Sequence, residues 1–124
     1  MSYSLKINET ANLINVTYDE TTSFDDRKSV LQELVEILSK NTSINVVVDV
    51  RKSKHTLTMD QEIEYGDLLA SQSKYFSNNK TAIVTGKANP HPLIQTEAYI
   101  SGFEKMVEFQ DMPTALAWLA GDLK

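Results

Sequence analysis

At 124 residues, with 41% hydrophobic content, the chain has the size and apolar fraction of one folded domain built on one core. A formal net charge of −5 and a pI near 4.9 argue against non-specific attraction to nucleic acid and to anionic lipid, both of which need a basic surface. With no cysteine there is no disulfide, no thiol nucleophile and no thiolate metal site.

The chain opens on Met1-Ser2-Tyr3-Ser4-Leu5-Lys6, which has no apolar leader, and no apolar run is long enough to span a bilayer. The expectation is a cytoplasmic protein, in which triplets such as Asn41-Thr42-Ser43 and Asn79-Lys80-Thr81 are chance glycosylation matches. Leu5 and Ile7 alternate with Lys6 and Asn8, and Ile14, Val16 and Tyr18 alternate with Leu13, Asn15 and Thr17. Both segments read as strands, and the short Glu9-Thr10-Ala11-Asn12 link predicts an antiparallel hairpin.

The period then changes. Thr22 or Ser23 caps a helix with Asp25 and Asp26 in its first turn and an apolar stripe of Val30, Leu31, Leu34, Val35 and Leu38. A β-branched run at 44–51 reads as a parallel strand whose polar end, Asp49 and Arg51, reaches the rim of a sheet. Thr58 and Gln61 form a capping box for a second helix carrying Met59, Ile63, Leu69 and Phe76, with Gly66 marking a close contact. A strand at 81–85 follows, then a loop with Asn89-Pro90-His91-Pro92, a third helix from about Pro92 to Gly102, a strand at 106–109 and a last helix capped by Asp111.

The order β-β-α-β-α-β-α-β-α predicts a single α/β domain over 1–124, with a mostly parallel five-stranded sheet. One face of the strands reads apolar: Ile14, Val16 and Tyr18; Val46, Val48 and Val50; Ala82 and Val84; Val107 and Phe109. The other face is mixed, which predicts helices mainly on one face. Leu13, Val47, Ile83 and Met106 are then expected on the second face, either as an apolar docking band or beneath a covering loop or helix.

This element order, the Val47-Val48-Asp49-Val50-Arg51 strand and the closing Phe109-Gln110-Asp111-Met112-Pro113-Thr114-Ala115-Leu116-Ala117-Trp118-Leu119 resemble the SpoIIAA-like proteins, relatives of the STAS domains of anti-sigma-factor antagonists. The resemblance implies a β-α superhelix over nearly the whole chain. The regulatory members carry a phosphorylatable serine in an Asp-Ser-Ser-Gly-like turn at a helix start. This chain has His55-Thr56-Leu57-Thr58-Met59-Asp60 there, without the Ser-Gly turn, so Thr56 or Thr58 is the candidate phosphorylation position.

Asp49, Arg51, Lys52, His55, Thr58 and His91 form a candidate binding rim, with Arg51 as a fork-shaped anion donor or, the commoner arrangement at strand ends, as an ion pair or loop brace with Asp49. The two histidines lack the further ligands that a metal needs, the serines lack a nucleophile elbow, and no glycine-rich phosphate loop occurs. Trp118 is expected to anchor the domain edge with Pro113 and Phe109, and Tyr65, Tyr75 and Phe76 to pack beside the second helix or line a small apolar cleft. The expectation is a non-enzymatic regulatory or scaffolding domain, with no cofactor and no metal, acting through a protein partner or as a homodimer. The alternative is a carrier or sensor of an apolar or anionic small molecule.

Overall fold

A computed structural model of the chain describes residues 3–53, 58–85 and 106–121. Strands β1 (Tyr3–Asn8) and β2 (Leu13–Tyr18) form the expected hairpin, with Ile7 opposite Ile14 and Leu5 opposite Val16. Its link turns on Asn12, which adopts a left-handed φ of 54° that asparagine tolerates, and whose side chain donates to the carbonyl of Ser43 at 3.2 Å.

Helix α1 (Phe24–Lys40) begins at Ser23, not Thr22: Ser23 Oγ accepts from the Asp26 N–H, while the Asp26 carboxylate accepts from the Ser23 N–H. Thr22 is fully buried and closes the preceding turn against Asp19. Strand β3 (Asn45–Asp49) leads to α2 (Met59–Ser71), which opens with the Thr58–Gln61 capping box, and a short 3-10 turn follows at Ser73–Phe76. Strands β4 (Thr81–Val84) and β5 (Met106–Phe109) precede α3 (Met112–Leu119), capped by Asp111 accepting from the Thr114 N–H at 2.8 Å. The helix expected from about Pro92 to Gly102 lies outside the described residues.

The sheet order is β1-β2-β3-β4-β5. It is a mixed sheet, not the mostly parallel one expected: the hairpin link sets β1 antiparallel to β2, and β3, β4 and β5 each run parallel to the strand before. Register sorts the faces. One row runs Ile14, Val46, Thr81, Met106, and the next row on the same face runs Val16, Val48, Ile83, Glu108. This first face packs under α1 and α2 with Val30, Leu31, Leu34 and Leu38. The opposite face holds Val47, Ala82 and Val84, which pack with Ala115 and Leu119 of α3.

Two further expectations are corrected. Helices lie on both faces, because α3 caps the β3–β5 half of the second one. Ala82, Val84, Val107 and Phe109 belong to that second face, whereas Ile83 and Met106 are buried on the first. Strand β4 is buried along its whole length, so its sequence has no polar side to reveal which residues face which way. On α2, Met59 and Ile63 are exposed, at 76% and 53%, contrary to expectation, while Leu69 and Gly66 are buried as expected. Phe76 is buried, but from the 3-10 turn. Among the described residues no helix is long and apolar enough to cross a membrane.

Candidate functional site

The rim residues are the first to place. Asp49 ends β3, and Arg51 folds back on it: Nε donates to Oδ1 at 2.9 Å, Nη2 to Oδ2 at 2.7 Å, and the Arg51 backbone N–H to Oδ1 at 3.1 Å. The guanidinium fork is thereby engaged by its own neighbour, in a bidentate pair. Partial burial pushes the Asp49 carboxyl up, but the Arg51 bonds and charge outweigh it and hold the group below the ordinary carboxylate value. Lys52 is exposed beside the pair, and the Thr58 hydroxyl is used in capping α2. His55, His91 and Thr56 lie outside the described residues. Among the described residues no group of three or more His, Asp or Glu side chains is placed to hold a metal ion.

The expected apolar band does not form one surface. Val47 is covered by α3, Ile83 and Met106 lie on the opposite face, and only Leu13 is partly exposed.

A second cluster was not read from the sequence. Arg27, on α1, is 2% exposed; its Nη2 donates to Ser53 Oγ at 3.1 Å, and its guanidinium carbon lies 5.2 Å from the centre of the Tyr18 ring. Burial pushes both the Tyr18 and Tyr65 hydroxyls upward, and Tyr65 adds to the shift at Tyr18. The sequence does carry a signal, since Arg27 sits three and seven residues before Val30 and Leu34, on the apolar stripe itself.

These groups border a cavity of about 50 Å³ between α1, α2 and the sheet, walled by side chains such as Leu34, Val48, Leu69 and Phe76. Thr81 also lines it; its Oγ1 is buried with no hydrogen-bond partner among the described residues. A void of this size costs about 1 kcal/mol, and an unpaired buried hydroxyl about 1–3 kcal/mol more.

The third feature is the β1 side of the sheet. Beyond the reach of α3, the second face presents Ser4, Lys6, Asn8, Asn15 and Thr17 around a shallow groove of about 700 Å³. The phase of the outer edge follows from the ladder. The Asn45 N–H donates to the carbonyl of Asn12, so Ile14 and Val16, in step with Asn12, turn their main chain toward β3. On the far side of β3, Val46 donates to Lys80 and Val50 to Val84, which fits the same alternation. Leu13, Asn15 and Thr17 therefore bond to β1, through Asn8, Lys6 and Ser4. Tyr3, Leu5 and Ile7 are left with N–H and C=O groups aimed outward, and among the described residues no strand pairs with them. On the same strand Ile7 is 48% exposed.

Compared with known proteins, the chain matches no protein-family model and no curated protein sequence.

Proposed function

We propose that this chain is a non-catalytic domain of SpoIIAA-like type that works through contact with another protein. One observation carries the reading: among the described residues no strand pairs with the outer edge of β1, and α3 does not cover the sheet face beside it. Edges of this kind add strands from partners, with main-chain bonds supplying affinity and alternate side chains supplying selection. The pairing of Asp49 with Arg51 supports the same choice, because the fork best suited to an anionic ligand is already engaged. Element order along the chain and the Val47-Val48-Asp49-Val50-Arg51 strand support the family likeness.

Gentle isolation from the native cell followed by native mass spectrometry tests this reading. The expected result is a species heavier than the 14.0 kDa chain by the mass of a further polypeptide. A bare 14.0 kDa species at every concentration would refute it.

A second reading is favoured by the cavity and the buried Thr81 hydroxyl that lines it. Here the domain senses a small, largely apolar molecule with one hydrogen-bonding group. Titration with ethanol under NMR observation is the check. Saturable shifts centred on Thr81, Leu34 and Val48 support a ligand site, and none at all removes it.

A further inference from the structure

We infer that the partner at the β1 edge is a second copy of this chain, joined antiparallel through β1 with Leu5 facing Leu5 across a twofold axis. This rests on the protein-contact reading above and narrows it to one occupant and one register.

The outward main-chain groups belong to Tyr3, Leu5 and Ile7, as the hydrogen-bond phase of the sheet requires. A twofold axis perpendicular to the sheet keeps each face continuous across the join, so the central residue must meet its own copy. Centring on Leu5 makes Tyr3–Ile7, Leu5–Leu5 and Ile7–Tyr3 hydrogen-bonded pairs, about six main-chain bonds in all. Centring on Lys6 sets two ammonium groups directly opposite each other in the closer, non-bonded type of pair and uses fewer outward groups. Centring on Ser4 or Ile7 slides the strands so that less of Tyr3–Asn8 is paired. The Leu5 register is the one that spends every outward group and avoids a like-charge contact.

Side chains agree with it. Ile7, half exposed in the single chain, lies against the partner copy's tyrosine ring, an aromatic and β-branched cross-strand pair. On the other face each Ser4 meets a Lys6. Charge agrees as well: the chain carries a net −5, yet Tyr3–Asn8 itself contains one lysine and no carboxylate, with Glu9 just beyond its end and Glu33 held by the Tyr3 hydroxyl.

The absence of cysteine gives a clean test. The full chain with Leu5→Cys, Lys6→Cys, or an equal mixture of Tyr3→Cys and Ile7→Cys is oxidised and resolved by mass, beside sedimentation equilibrium of the unmodified chain. Sedimentation is expected to return twice 14.0 kDa. Leu5→Cys is expected to give a disulfide dimer, the mixture a Tyr3–Ile7 cross-link, and Lys6→Cys neither. Ile7→Pro, which removes an outward N–H and spares the β1–β2 ladder, should return the mass to 14.0 kDa with unchanged circular dichroism. A dimer cross-linked through Lys6→Cys, or one untouched by Ile7→Pro, overturns the register and leaves protein contact standing. A monomer that co-isolates with a different polypeptide overturns self-association alone. A monomer with no companion overturns both.

Discussion

Asn45 donates from Nδ2 to the carbonyl oxygen of Leu119 at 3.1 Å, while its Oδ1 accepts from the Lys80 N–H at 3.0 Å. One side chain at the start of β3 thus ties down the last turn of α3 and the entry to β4. Asn45→Ala removes both bonds and leaves a partly buried carbonyl and amide unsatisfied, so it is expected to cost about 2 kcal/mol. Urea unfolding of the two proteins measures it, and α3 amides should show the largest rise in hydrogen exchange.

Thr81→Val is expected to stabilise the fold by about 1 kcal/mol. The hydroxyl of Thr81 is buried on the first sheet face without a hydrogen-bond partner among the described residues, and valine keeps the shape while removing the desolvation cost. A thermal unfolding midpoint that falls on substitution would show that the hydroxyl is bonded in solution.

Alkaline titration offers a third check. The Tyr3 hydroxyl donates to Glu33 Oε2 at 2.6 Å, and this bond, helped by partial desolvation and nearby carboxylates, pushes its pKa up to about 12 from an ordinary 10.0. The folded chain therefore holds its proton more tightly than the unfolded one. The stabilisation is complete below pH 10 and is lost as pH rises toward 12. Phenolate absorbance should lose its latest exposed titration in Tyr3→Phe, and the alkaline decline in stability should become shallower.

At the acid end the sign reverses. Asp49 is held below its ordinary 3.8, so it stabilises the fold above that value and the contribution fades as pH falls through the lowered one. Its Arg51 partner is 45% exposed, and screening by solvent limits the pair to under about 1 kcal/mol. Arg51→Gln leaves burial acting on Asp49 with weaker opposition, so acid unfolding should begin at higher pH. Urea midpoints across the acid range would record it.

Much of the fold was legible where one physical signal acted alone. The Thr58–Gln61 pair and Asp111 announce helix starts through short polar side chains facing free N–H groups, and both caps form as the sequence implies. The hairpin follows from clean alternation on either side of a short link. Legibility ended where burial came from two directions. Strand β4 is covered above and below, so Ala82 and Ile83 look alike in sequence although they enter different cores. Arg27 was missed because a charged residue on an apolar stripe reads as an interruption, and partners brought from elsewhere in the chain, Tyr18 and Ser53 among them, make its burial tolerable. The band of Leu13, Val47, Ile83 and Met106 failed with the facing of β4 and β5. The rim succeeded only locally: Asp49 and Arg51 meet, but as each other's partner.

Strand order along the sheet repeats strand order along the chain, and this bears on how the molecule is made. A ribosome releasing residues in sequence delivers each strand beside one already emerged, so no strand need wait for a distant mate. Helix α3 is the exception: it arrives last of the described elements and seals Val47, Ala82 and Val84 from water. Until it docks, the nascent domain wears a greasy window on its second face, the stage at which a chaperone has most to hold.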